Sequence, residues 1–290
     1  MSRGSALPGG GTMARRALGS VGWGGKMAVA TTRRLTQRQI DRFRIDGWLA
    51  VEDLLPPAQV AVLAEHADVI AAGKAPNIPD TSIQLEKVFR DGARQVVDQV
   101  LSVRKLFNLA VYDEILWSHV TSPAIADIVA DLLGTDDIKL YADQLFMKPP
   151  EIGAAQPWHQ DSASWRDIFP MDLVTAWCAI DHATTANGCL NFVPGTQRWG
   201  MLRAPQLEPF LPLLGTPEWP IIPAPLRPGS VSFHHSLVLH QSNANTSGMR
   251  RRGYAVHYMR ATSRKDETVT DAPKVPPFRQ VRGRSFPGCV

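Results

Sequence analysis

Residues 136–150, DDIKLYADQLFMKPP, mark the point where the chain changes character. They read as a β-strand stopped by Pro149 and Pro150, because proline has no N–H to give a ladder. Before them the pattern is mostly helical. Thr36 and Gln39 have capping-box spacing, Leu35, Ile40 and Phe43 supply apolar helical periodicity, and Gly47 stops the helix. WLAVEDLL (48–55) reads as a short strand after that stop. A second helix has Pro57 in its first turn and runs through QVAVLAEHADVIAAG to Gly73. A third, SPAIADIVADLLG (122–134), has Ser122 as N-cap, Pro123 in first place and Gly134 at its end. Beyond residue 150 the strand-like runs are DLVTAWCAIDHA (172–183), GCLNFVPG (188–195), PGSVSFHH (228–235) and RGYAVHYMRA (252–261). Helices first, then strands separated by long loops, predict an α+β fold: an antiparallel double sheet, or jelly roll, with N-terminal helices as cover.

Composition narrows the function. The 290 residues are 44% hydrophobic and 20% charged, as in an ordinary globular protein. A formal charge of +4, with no Lys/Arg run interleaved with aromatics, argues against nucleic acid as a partner. Three scattered cysteines, Cys178, Cys189 and Cys289, make neither a disulfide framework nor a zinc ribbon, so a reducing, cytoplasmic setting is expected. No apolar stretch of about eighteen residues predicts a membrane span. Residues 1–34 are rich in Gly, Ser and Arg and are expected to be a flexible tail, with Met13 or Met27 as alternative starts. Should residues 1–40 be a transit peptide, the destination is an organelle instead. Residues 35–265 are expected to form a single domain and 266–290, Pro- and Arg-rich, an extended tail. A small-molecule substrate and a monomeric or homodimeric state are expected.

The chemistry starts at WHQDSASW (158–165), where His159 and Asp161 stand two apart in an apolar setting. In an extended segment such residues point to one side, so an imidazole and a carboxylate would be presented together. They either pair with each other or hold a metal, whose third ligand would come from His182, His234, His235, His240 or His257. One histidine, a carboxylate on the same strand and a distant histidine make the facial triad of non-haem Fe(II) oxygenases, with open positions for a chelating co-substrate and O₂. A dicarboxylate co-substrate also needs a buried cation, best an arginine. HQSNANTSGMRRRGYAVHYM (240–259) offers Arg250, Arg251 and Arg252. Alternation puts Arg251 with Gly253, Ala255 and His257, a face with room, which favours it modestly. The other two arginines read as a solvated basic turn.

WHQD, NGCLNFVPGT (187–196) and HQSNANTSGMRRR, in this order, resemble the phytanoyl-CoA dioxygenase family of Fe(II)/2-oxoglutarate oxygenases. The resemblance runs from about Leu35 to Arg264. It implies a double-stranded β-helix, cupin-like core, with His159, Asp161 and His240 as iron ligands. It also implies Arg251, eleven residues past the distal histidine, as the co-substrate arginine and Trp177 as a wall of the co-substrate pocket. Gln160, between the ligands, has a family counterpart; Lys87, in QLEKVF, matches a segment offering a lysine to the co-substrate. Gln144 stands where some members have methionine. The implied reaction is hydroxylation of an unactivated C–H of a small organic molecule by O₂, with succinate and CO₂ as co-products and ascorbate as a candidate reductant. Related halogenases have a small residue in the position of Asp161, so a carboxylate there argues for hydroxylation. NGCLNFVPGT reads as scaffold, Cys178 and Cys189 as packing, and Trp158, Trp165 and Trp199 as either a substrate wall or core. The alternatives are a zinc hydrolase using the same His/Asp/His set and a non-catalytic jelly roll that binds a ligand.

Overall fold

The computed structural model describes residues 34–272 and 275–290. The N-terminal tail expected over 1–34 lies outside the described residues, apart from Arg34, whose backbone N–H donates to Asp131 Oδ2 at 2.8 Å. In chain order the elements are α1 (Gln37–Asp46), β1 (Trp48–Val51), α2 (Pro57–Ala71), β2 (Ile83–Leu85), α3 (Lys87–Arg90), β3 (Val103–Phe107), α4 (Glu114–Val120) and α5 (Pro123–Leu133). There follow β4 (Ile138–Phe146), β5 (Gln156–His159), β6 (Ile168–Phe169), β7 (Val174–Ala179), β8 (Leu190–Val193) and β9 (Ile222–Ala224). The last are β10 (Val231–His235), β11 (Leu239–Ser242), β12 (Gly253–Arg260), β13 (Arg264–Lys265) and β14 (Gln280–Arg282).

Local chemistry sets the helix ends. Thr36 and Gln39 form the capping box in both directions, and Gly47, at φ 79°, closes α1 in a left-handed conformation. Pro57 opens α2 and Pro123 opens α5, where a missing N–H costs nothing. Ser122 stands at the N-cap, but its side chain makes no cap bond. The sequence reading missed α4, which Asp113 caps by accepting from the N–H groups of Ile115 and Leu116. No helix among the described residues is long and apolar enough to cross a membrane.

Two antiparallel sheets form the jelly roll. The larger has the order β1-β10-β7-β12-β4-β3-β2, with β14 beside β4; the smaller has the order β5-β11-β8-β9. In the C-terminal segment β14 therefore pairs with β4, and Val275, Phe278 and Val290 pack near Tyr141 and Trp165. Strand alternation sorts the larger sheet into two faces. Val174, Ala176 and Cys178 of β7, Val231 and Phe233 of β10, and Tyr254, Val256 and Tyr258 of β12 join Leu63, Ile70, Ile125 and Val129 of the helices in the main core. The opposite parity on β7 and β12 places Trp177, Ala179 and Ala255 against Leu190 and Phe192 of the smaller sheet. Into that same gap point the polar residues Thr175, His234 and His257, and they line its cavity. Buried polar groups need partners, so the gap is where chemistry is to be sought.

Candidate metal centre

His159 ends β5 and His240 lies in β11; the two are direct cross-strand partners, with ring centroids 4.2 Å apart. Gln160 continues extended at φ −112° and ψ 135°. Asp161 thus keeps the side of His159 before the chain enters a 3-10 turn. Asp161 Oδ1 lies 3.6 Å from His159 Nε2 and 3.7 Å from His240 Nε2. One ligand atom from each of the three residues lies within 4.8 Å of the others. Ligands about 2.1 Å from a shared ion stand roughly 3 to 4 Å apart, so this spacing suits one metal.

Both imidazoles are held in the tautomer a metal requires. His159 Nδ1 donates to Pro157 O at 2.8 Å and His240 Nδ1 to Val238 O at 3.1 Å. A carbonyl only accepts, so each proton sits on Nδ1 and each Nε2 turns a lone pair toward Asp161. Burial, reinforced by the neighbouring His159, holds His240 well below the usual histidine range. Burial alone would raise the Asp161 carboxyl, but the imidazoles around it, His240 foremost, keep it well below its ordinary value. The set therefore presents two Nε2 atoms and one carboxylate to a common point.

The remaining histidine candidates have other places. His182 is exposed, and His235 accepts from Leu237 N–H at 3.0 Å while its ring faces Phe43. His234 Nε2 lies 3.4 Å from the outer oxygen, Asp161 Oδ2. His257 stands one residue further out, 2.8 Å from Thr175 Oγ1.

A cavity of about 380 Å³ opens on the three ligands and carries Arg251, Trp177 and Gln144 in its lining. Arg251 is 1% exposed. Its guanidinium lies 5.2 Å from the Trp177 ring centroid, one terminal nitrogen donates to Gly188 O at 2.5 Å, and Nε has no partner among the described residues. Burial draws it down to about 10, still cationic at neutral pH. Such a cation calls for an anion in the cavity. Gly253 makes room for the stack: a Cβ there would stand 1.9 Å from Trp177 Cζ2.

The flanking arginines correct one expectation. Arg250 and Arg252 are not a solvated turn: both bind Asp68 on α2, and Arg252, 5% exposed, also holds Asp181 at 2.7 Å. The parity that turns Arg251 inward turns these two toward acids beneath the helices.

Two co-substrate candidates lie elsewhere. Gln160 spends its amide on structure: Nε2 donates to Gly200 O and Leu237 O at 2.9 and 2.8 Å, and Oε1 accepts from Leu202 N–H at 2.7 Å. It fastens the loop after β8 and does not line the ligand cavity. Lys87, first in α3, is 73% exposed in its side chain and pairs with Asp91 one turn on. The lysine in the cavity is Lys105, at the centre of β3, with Ser242 also in the lining. Burial first, then the Arg104 charge, lowers Lys105 below the ordinary lysine value. Of the tryptophans, Trp165 lines the cavity, while Trp158 and Trp199 pack around Val193, Leu207 and Leu239. Cys178, pushed up to about 12 by burial, is a packing residue.

The profile of the family described as phytanoyl-CoA dioxygenase (PhyH) matches residues 43–253. Phytanoyl-CoA dioxygenase domain-containing protein 1 of Rattus norvegicus is 31% identical over 266 residues, covering 78% of this chain and 91% of its own length. L-proline trans-4-hydroxylase of Streptomyces griseoviridis is 28% identical over 263 residues, covering 82% of this chain and 89% of its own length. Among solved structures, EctD from S. alaskensis with bound Fe superposes with a TM-score of 0.71 at 22% identity, over 89% of this chain and 88% of that one. The same protein with 2-oxoglutarate and 5-hydroxyectoine gives 0.70 at 21%, over 89% of this chain and 86% of that one. These likenesses establish the fold independently of the sequence motifs.

Proposed function

This chain belongs to the phytanoyl-CoA dioxygenase family, whose members are Fe(II)- and 2-oxoglutarate-dependent dioxygenases, and we propose that it hydroxylates an unactivated C–H bond of a small organic molecule. His159 Nε2, Asp161 Oδ1 and His240 Nε2 would hold the iron. Two neutral imidazoles and a carboxylate on one side of an ion form a facial set that leaves the opposite side to co-substrate and O₂. Bound iron and 2-oxoglutarate supply the oxidising power: oxidative decarboxylation to succinate and CO₂, coupled to insertion of an oxygen atom into the substrate.

The chain's own residues bind, orient and exclude water. Arg251 takes the far carboxylate of the co-substrate, a charge-assisted contact in a dry setting. Trp177 is the flat wall beneath it, and Gly253 permits that wall to approach. Ser242 and Lys105 offer further donors from the lining. Among the described residues Asp161 is the only acid in that lining, whereas Gln84, Asn108, Gln144 and Gln156 supply amides and Phe107, Phe146 and Trp165 supply apolar surface. A neutral or anionic small molecule suits these walls better than a cation.

The observation that carries this reading is the Arg251 guanidinium, buried in the cavity that opens on the ligand cluster and hydrogen-bonded, among the described residues, to Gly188 O alone. Activation of water by zinc does not by itself require such a cation, whereas a chelating dicarboxylate does. Anaerobic Fe(II) and 2-oxoglutarate should give a visible metal-to-ligand charge-transfer band, and turnover with the right substrate should release succinate. A folded protein that binds Fe(II) at this site yet shows neither band nor 2-oxoglutarate binding would return the zinc reading.

A further inference from the structure

We propose that Thr175 and His257 are positioning residues for the metal carboxylate, held by a hydrogen-bond chain that runs in one direction from Lys105 to Asp161. The inference rests on His159, Asp161 and His240 being the metal ligands. Four adjacent strands of the larger sheet, β3, β4, β12 and β7, each contribute one side chain. Lys105 Nζ donates to Gln144 Oε1 at 3.3 Å. Gln144 Nε2 lies 3.3 Å from His257 Nε2, and His257 Nδ1 lies 2.8 Å from Thr175 Oγ1. Thr175 Oγ1 donates to Asp161 Oδ2 at 3.0 Å.

The two ends fix everything between them. An ammonium group only donates and a carboxylate only accepts. Gln144 must therefore turn its oxygen to Lys105 and its NH₂ to His257. That makes His257 Nε2 an acceptor and puts the ring proton on Nδ1, which donates to Thr175. The threonine hydroxyl then has one proton left to give, and Asp161 Oδ2 receives it. Burial holds His257 at about 4, so the ring is neutral and carries a single proton, as the chain requires. Trp165 packs edge-on against the same ring at 4.4 Å and fixes its plane.

The consequence falls on the metal. With Oδ2 engaged by Thr175 and facing His234 Nε2 at 3.4 Å, Oδ1 is the oxygen that faces His159 and His240. The carboxylate is thus set as a one-oxygen ligand before any ion arrives. His257 lines the cavity and bonds to Thr175, not to a ligand; it acts by deciding which way the threonine hydroxyl points.

The test is Co(II) titration of the full chain without co-substrate, followed by the visible d–d bands, alongside thermal unfolding of the metal-free protein. Thr175→Val, which keeps the shape and removes the hydroxyl, should weaken Co(II) binding by about 10- to 100-fold. His257→Leu should do the same. His257→Asn, whose amide nitrogen stands where Nδ1 stands, should restore most of the affinity, whereas His257→Gln, which reaches the Nε2 position, should not. Should His257→Leu fail to fold, Thr175→Val carries the test alone. A folded Thr175→Val protein with wild-type Co(II) affinity, or equal rescue by Gln and Asn, would overturn the chain and leave the ligand assignment standing. No Co(II) binding by the wild type, or no loss in Asp161→Ala, would instead overturn the metal reading and this proposal with it.

Discussion

Arg251, Trp177 and Gly253 act as one unit, and the smallest of them is the most exposed to substitution. A methyl group at Gly253 would meet the Trp177 ring at 1.9 Å, so the indole must leave its place under the guanidinium. Gly253→Ala is expected to lower stability by roughly 1–3 kcal/mol, the usual range for overpacking. It should also raise the 2-oxoglutarate concentration needed for half-maximal succinate formation; an unchanged requirement would separate Trp177 from the co-substrate. Lysines give a second comparison. Lys105→Ala should raise that requirement, while Lys87→Ala, at a side chain already 73% exposed, should leave it alone. Strand parity brought His159 and Asp161 together and modestly favoured Arg251, whereas His240 among five histidines, and Trp177, were picked out by the family resemblance. Lys105 was not legible. The short β3 carries no turn signal, and only its pairing with β4 brings it to the cavity.

Parity is what the strands contribute. One choice of face on β7, β10 and β12 sends tyrosines, valines and phenylalanine to the helices and sends Thr175, Trp177, His234, Ala255 and His257 to the cavity. The arginine triplet obeys the same alternation and offers a clean check. Arg252 is buried and bridges α2 to the loop after β7 through Asp68 and Asp181, while Arg250 keeps 31% of its side chain exposed. Arg252→Ala leaves Asp181 without its arginine, while Asp68 keeps Arg250, and is expected to cost roughly 2–4 kcal/mol in urea unfolding. Arg250→Ala should cost under about 1 kcal/mol. Neither should change the 2-oxoglutarate requirement, whereas Arg251→Ala should raise it with a smaller effect on stability. A raised requirement in Arg250→Ala or Arg252→Ala would place the co-substrate cation one residue away. Alternation was readable because β12 is long and bounded by glycine. The neighbour of each strand was not, since pairing of β14 with β4, or of β1 with β10, depends on contacts far apart in sequence.

For the molecule as a whole, burying neutral histidines makes stability depend on pH. His119, His235 and His257 are each drawn down to about 4, burial being the largest cause. Unfolding returns them to about 6.5, so between those values the unfolded chain binds more protons than the folded one. Their stabilising share is thus complete above pH 6.5 and is lost as pH falls toward 4. Asp143, raised to about 6 by burial, works the other way and gains stability as it takes a proton over the same window. His119 is the clean probe, because it is outside the lining of the ligand cavity, against Tyr254 at 5.0 Å, and neither ring nitrogen has a partner among the described residues. From pH 7 to pH 5 its share of the loss is about 2 kcal/mol. His119→Phe keeps the ring and removes both unpartnered nitrogens, so the metal-free variant should hold its urea midpoint better than the wild type at pH 5. At pH 7 the variant should match or exceed the wild type, since burying an unsatisfied polar ring has a cost at any pH. Equal pH profiles for the two proteins would mean that water or another donor reaches His119, and the acid sensitivity would then belong to His235 and His257.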